Sequence, residues 1–220
     1  MRAGSNETLP RLFAKLDRIC RNVQDRALVA EAVRELDARY DLTGKVAKEP
    51  GVEEILTQMV GRLAHSFRRL SDVRGQSILD IACGSNTSKA PASLYIDTPL
   101  GELTIGRASR GYTAQFEPWF CRILFALGAH PVGIDFGDLD SELFEHYRVD
   151  LGGIGALDFL PDHSFDAVQD SRLFGSPEFT AQFPDQADRL KIAREIKRQE
   201  QRLLKTDGIT IHSDADALLK

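Results

Sequence analysis

The stretch that most constrains this chain is Ser77-Ile78-Leu79-Asp80-Ile81-Ala82-Cys83-Gly84-Ser85-Asn86. Ile78, Leu79 and Ile81 make a short apolar run of the kind a buried parallel strand shows, with an acid inside it and small residues directly behind. Gly84 gives the following turn access to positive φ and lets a ligand come close to the main chain. Small residues at a strand's carboxyl end suit a nucleotide-type ligand laid across it. The plainer alternative is an ordinary strand closed by a polar turn, and the later segments weigh against it.

Ahead of this strand, apolar residues recur at threes and fours. Leu9, Leu12, Phe13, Leu16, Ile19, Cys20 and Val23 define one helical face, and Leu28, Val29, Ala32, Val33, Leu36 and Tyr40 a second, with Gly44 as the predicted stop. Pro50 and Gly51 mark a break, after which Val52, Ile55, Leu56, Met59, Val60, Leu63, Ala64, Phe67 and Leu70 form a third stripe. Residues 1–74 therefore form an N-terminal helical segment that covers the sheet or caps a site, and residues 75–220 form the main domain.

Residues 87–112 lack a helical pattern and hold Pro91, Pro99, Gly101, Gly106 and Gly111, which predicts an insertion. Leu94-Tyr95-Ile96 and Leu103-Thr104-Ile105 flank a turn-rich hexapeptide and predict a small hairpin with a longer turn inside it. A helix follows from Phe116 to Leu127, with Pro118 near its start and Gly128 just past its end. His130-Pro131-Val132-Gly133-Ile134-Asp135 is the second strand and closes on an acid, a group with only acceptor sites to offer ribose hydroxyls at neutral pH. A short helix over Leu143 to His146, a third strand from Tyr147 to Leu151, a fourth ending at Asp170, a charged helix from Gln186 to Lys205, and a turn leading into a fifth strand at Ile209 to His212 complete the pattern. Strand and helix alternate, which predicts an α/β fold: a Rossmann-like, doubly wound, mostly parallel sheet with helices on both faces.

A formal net charge of -5 leaves a nucleic-acid partner to a local patch and argues against one. Cys20, Cys83 and Cys121 are too far apart for a zinc pair or a disulfide framework, which fits a cytoplasmic setting and implies no metal. No apolar run approaches about 18 residues, so the sequence predicts a protein without a membrane partner.

With these residues assembled, the chain from about Gln76 to His212 resembles the class I S-adenosylmethionine-dependent methyltransferases. Leu79-Asp80-Ile81-Ala82-Cys83-Gly84-Ser85 is similar to the family's opening strand and glycine-rich turn. Leu160-Pro161-Asp162-His163-Ser164-Phe165-Asp166-Ala167-Val168 is similar to its fourth-strand signature, and Leu203-Leu204-Lys205-Thr206-Asp207-Gly208-Ile209 to the approach to its fifth. The resemblance implies S-adenosylmethionine as cofactor, with Asp80, Ala82, Cys83, Gly84 and Ser85 around its methionine portion, Asp135 on the ribose, and Asp150 with Leu151 on the adenine. Asp170 adjoins the cofactor and, with Ser171 and Arg172, lines the methyl-transfer side. The acceptor implied is a small molecule or a protein, since Asp170-Ser171-Arg172-Leu173 stands where amino-methylating nucleic-acid enzymes carry an Asn-Pro-Pro-Tyr type of motif. No residue is singled out as catalytic; His163 and His212 are bases by residue type alone.

Three departures from the family pattern matter. Ala82 stands at a frequent glycine position, acceptable if its φ stays negative. Asp135 follows Asp80 by 55 residues, the insertion absorbing most of the excess over the roughly 20 usual in such units. Eight residues follow His212 where the family adds two more strands, so the chain is expected to be truncated, minimal or without that edge; if the edge is missing, the fifth strand is exposed and a second subunit of a homo-oligomer would cover it. A non-catalytic binding or regulatory protein that keeps the fold is the second reading. A nicotinamide-dependent oxidoreductase is a third, opposed by the missing G-x-G-x-x-G.

Overall fold

The computed structural model describes residues 7–86, 94–98, 101–105, 114–170, 173–174 and 177–219. Its centre is a five-stranded, all-parallel sheet of β1 (Ser77–Ile81), β4 (His130–Asp135), β5 (Glu145–Arg148), β6 (Phe165–Asp170) and β7 (Leu204–His212), in the order β5-β4-β1-β6-β7. Alternate residues of a strand face opposite ways, and the core divides accordingly. Ile78 and Ala167 face a layer built from α1 (Thr8–Ile19), α2 (Val23–Tyr40), α3 (Leu42–Lys48), α4 (Gly51–Ser66) and α5 (Trp119–Ala126). Leu79, Ile81, Val132, Ile134 and Val168 face the other layer, which holds α6 (Pro177–Gln182), α7 (Gln186–Leu203) and α8 (Asp214–Leu218). The N-terminal helices thus share one apolar cluster with the sheet.

Local chemistry explains the helical layer. Glu53 is buried on α4 and is reached by Arg11 (2.6 Å) and Lys15 (2.5 Å) of α1, which clamps the two helices. Buried Asp25 on α2 accepts the Leu70 N–H at 2.9 Å and so fixes the 3-10 turn that leads into β1. Trp119 and Phe120, the largest wholly buried side chains, root α5 in the same cluster, and the indole Nε1 donates to the Ala114 carbonyl at 2.6 Å.

Four sequence expectations change. Gly44 does not stop a helix: the break falls at Asp41, which turns left-handed (φ 50°), ends α2 and caps α3 by accepting from Gly44 N. A Cβ on Gly44 would stand 2.2 Å from the Asp41 carboxylate, so this glycine makes room for a cap. Leu143 to His146 is not a helix, because Glu145–Arg148 pairs with β4 from Val132 to Asp135. The turn expected at Asp207-Gly208 is absorbed into β7 as an irregularity between the pairs Phe165↔Leu204 and Ala167↔Ile209. The hairpin exists as β2 (Leu94–Thr98) and β3 (Gly101–Ile105), but its pairing runs on to Thr98↔Gly101, so the connection is shorter than predicted. The rest of the insertion lies outside the described residues.

Candidate functional site

The chain leaves β1 toward α5 on one face and leaves β6 toward α6 and α7 on the other. Loops that depart in opposite directions from neighbouring strands open a crevice at their carboxyl ends, the place where open parallel sheets bind ligands. β1 and β6 are such neighbours, paired from Ile78↔Ala167 to Ile81↔Asp170.

The loop after β1 is held in a strained, closely fitted shape. Ala82 has φ 61° and Gly84 φ 92°. The alanine therefore occupies the left-handed region, so the condition under which it would be tolerated without strain is not met, and there a Cβ costs about 1 kcal/mol. At Gly84 any side chain is excluded, since a Cβ would lie 2.2 Å from the Phe116 carbonyl oxygen. That carbonyl accepts the Ser85 N–H at 3.0 Å, and Cys83 N donates to Ile134 O at 3.0 Å.

Asp135 bridges this loop to the next one. Its Oδ2 accepts from Gly84 N at 2.9 Å and its Oδ1 from Gly137 N at 2.8 Å. Burial pushes the carboxyl above its ordinary value, while the backbone donors of Gly137 and Gly84 pull it back. The Phe136 main chain is a third donor to this carboxylate, which leaves one of its roughly four acceptor sites open. Phe136, the next residue, is 64% exposed and lies under the Arg148 guanidinium, 5.7 Å from the ring centroid.

Other predicted ligands are directed elsewhere. Asp80 is buried behind the loop, where it accepts from Gln169 Nε2 at 3.2 Å and from the Cys121 thiol at 3.7 Å. Burial raises its carboxyl to about 7, an effect these donors and the charge of Arg62 only moderate. Cys83 is likewise buried, its thiol pushed up to about 11 by desolvation. Asp150 accepts from Gly152 N at 2.9 Å as a turn former, and the Leu151 side chain is in the core. Their segment still adjoins the site through Val149 N, which donates to Asp135 O at 2.8 Å. Asp170 takes up the first turn of α8: its carboxylate accepts from Ala215 N (3.0 Å), Ser213 Oγ (3.2 Å) and Asp214 N. Ser171 and Arg172 lie outside the described residues. His163 is at the opposite, amino-terminal edge of the sheet, where its Nδ1 meets Leu204 O at 2.8 Å, so it is no base for this site.

The sequence reading missed Arg122. It sits in an apolar helix at 3% exposure, stacked over Tyr40 (3.9 Å) and Trp119 (4.7 Å). Its guanidinium pairs with Glu142 at 2.6 Å and with Glu117, and donates to Asn86 Oδ1 at 2.7 Å. Lys45 joins Glu117 at 2.5 Å, and the Tyr40 hydroxyl joins Glu142 at 3.2 Å. These contacts tie α2, α3, α5 and both loops around the last residue of the glycine turn. The one available signal was a lone arginine within Trp119-Phe120-Cys121-Arg122-Ile123-Leu124.

Among the described residues no group of three or more His, Cys, Asp or Glu side chains is placed to hold a metal ion, and no helix is long and apolar enough to cross a membrane. No family model, curated protein or solved structure matches the chain.

Proposed function

We propose that the protein is an S-adenosylmethionine-dependent methyltransferase that acts on a small molecule or a protein. The observation that carries this reading is the Asp135 bridge: an acid ending β4 and a glycine turn ending β1 are brought together on adjacent strands beside the crevice. The acceptor site left open on Asp135 suits a ribose hydroxyl, and the exposed face of Phe136 suits a stacked purine. The turn from Ala82 to Gly84, bent by two positive φ angles, is left to hold the remaining, amino-acid-like part of the cofactor through its main chain. Asp80 supports the turn from behind and does not face the ligand.

The sulfonium supplies an electrophilic methyl group, so the protein's task is to hold an attacking atom in line with it and keep water away. Ala82 to Asn86 and Asp135 fix the cofactor's position, and Arg122 holds Asn86 in place from the buried side. A non-catalytic nucleotide-binding protein of the same fold is the second reading, favoured by the internal engagement of Asp170 at the end of β6.

Calorimetric titration with S-adenosylmethionine and S-adenosylhomocysteine, with NADH as control, tests the proposal. Micromolar binding of the first two, weakened at least about tenfold by Asp135→Asn, is the expected result, equivalent to about 1.4 kcal/mol. A folded sample that binds neither overturns it. A cofactor-bound structure with the sulfonium methyl sealed from solvent selects the second reading.

A further inference from the structure

A second concave site lies two strands from β1, between α4 and the carboxyl end of β7. Gln58, Arg62 and His65 project from α4 at helical spacings of four and three, Gly61 leaves space between them, and Ile211 with His212 forms the opposite wall. The cleft has a volume of ≈ 430 Å³, within the roughly 300–1,000 Å³ typical of small-molecule sites. It is wide open to solvent.

Arg62 supplies the positive charge of this cleft. It is half-buried, yet among the described residues no carboxylate or carbonyl engages its guanidinium. The buried arginine elsewhere, Arg122, meets two glutamates, and even the more exposed Arg11, Arg69 and Arg198 each have an acidic partner. A planar guanidinium carries five donors in a fork that matches the oxygens of carboxylates and phosphates. The charge it senses electrostatically is Asp80, shut away behind the glycine turn. His65 is exposed on the same helix face. His212 is held in orientation by its Nε2, which donates to Asp214 Oδ1 at 2.8 Å, and Gln58 Nε2 donates to Glu54 Oε1 at 3.5 Å, so the two acidic groups beside the cleft are already engaged and Gln58 keeps its second amide hydrogen.

We propose that this cleft binds an oxyanion, a carboxylate or phosphate carried by the methyl acceptor, with Arg62 as its principal ligand and His65 and Gln58 as flanking donors. The assignment to the acceptor rests on the methyltransferase reading; oxyanion binding itself rests on the cleft. His212 is the sheet partner of Gln169, whose amide reaches Asp80, so the cleft sits level with the β1–β6 crevice. Adjacent strands are about 4.8 Å apart, which separates β7 from β1 by about 10 Å. An acceptor with its acid group in the cleft and its nucleophile in the crevice needs to span only that distance, the length of a small metabolite.

The test uses the full chain, 15N-labelled, titrated separately with inorganic phosphate and with succinate. Saturable shifts at Gly61, Arg62, His65 and His212, weakened at least about tenfold by Arg62→Gln and less by His65→Gln, are expected, and the tighter-binding probe identifies the acid class. The His65 variant lies on an exposed side chain and serves if Arg62→Gln disturbs the fold, as judged by circular dichroism. No saturable shift with either probe, or equal binding by parent and both variants, overturns the site. S-adenosylmethionine binding measured on the same sample separates the two ideas. Cofactor binding with an unresponsive cleft sinks the cleft alone; a responsive cleft without cofactor binding keeps the oxyanion site and sinks its role toward a methyl acceptor.

Discussion

Two buried clusters of charge flank the carboxyl edge of the sheet, and they are built on opposite principles. On the β4 side, Arg122 and Lys45 meet Glu117 and Glu142, with Asn86, Tyr40 and Trp119 completing the shell. Cations and carboxylates balance, and the arginine is held firmly charged by Glu142 and Glu117 against the cost of burial. On the β7 side, Glu200 and Asp216 share the cation Lys197, while the neighbouring Asp170 has only Ser213 and the first N–H groups of α8 as donors. Here carboxylates outnumber cations. Burial, followed by the charge of Asp170, raises Glu200 to about 7. A balanced cluster specifies geometry, because each partner left behind would be a buried unpaired charge; an acid-rich one stores a proton instead.

Removing Arg122 breaks this contrast most severely. Arg122→Ala leaves Glu117 and Glu142 buried with too few partners, and a loss of about 3–5 kcal/mol in urea unfolding is expected, enough to unfold a marginal domain. A loss under about 1 kcal/mol would show that the cluster is not a structural anchor. Gly84→Ala attacks the clasped loop directly by forcing a Cβ against Phe116 O. Destabilisation of about 2–3 kcal/mol is expected, together with faster amide exchange at Ser85, whose N–H binds that same carbonyl.

The acid-rich cluster answers to pH. Glu200 binds a proton in the native state up to about pH 7 but releases it near 4.5 once unfolded, so the native state holds the extra proton between these values. Stability therefore falls as pH rises through that window, by about 1–3 kcal/mol for the carboxyl. Asp80, raised from 3.8 to about 7, acts in the same direction. Urea midpoints at pH 5 and pH 7 should show the parent weaker at pH 7, Glu200→Gln with a smaller difference, and the double variant with Asp80→Asn with a smaller one still, the remainder resting on Asp135 and Asp170, which burial also raises. A parent that grows more stable toward pH 7 contradicts the assignment. The smallest effect is expected at Ala82, where glycine relieves the left-handed strain but gains freedom in the unfolded chain. Ala82→Gly should stabilise by about 0.5 kcal/mol, and a clear loss in thermal unfolding would argue against the left-handed turn.

The residues themselves determined the parallel α/β sheet. Apolar runs of strand length separated by 3.6-period stripes leave few other ways to bury both faces of each strand, and Ile78 to Ile81, Val132 to Ile134 and Phe165 to Val168 are such runs. The pairing of a glycine turn with the acid of the next strand was legible as well, as two separate features; their contact spans 51 positions and only the sheet brings them together. What only the tertiary structure decided is where each carboxylate points. Asp80, Asp135 and Asp170 all end or nearly end a strand, yet one is buried against Cys121 and Gln169, one bridges two loops, and one caps α8. Residue type says that an acid will accept hydrogen bonds; the donors come from distant segments, and a carboxylate follows whichever buried N–H groups the packed fold leaves beside it. Arg122 shows the same limit from the other side, since Glu117 and Trp119 lie beside it in sequence while Glu142, Asn86 and Tyr40 come from three distant segments that no local pattern connects.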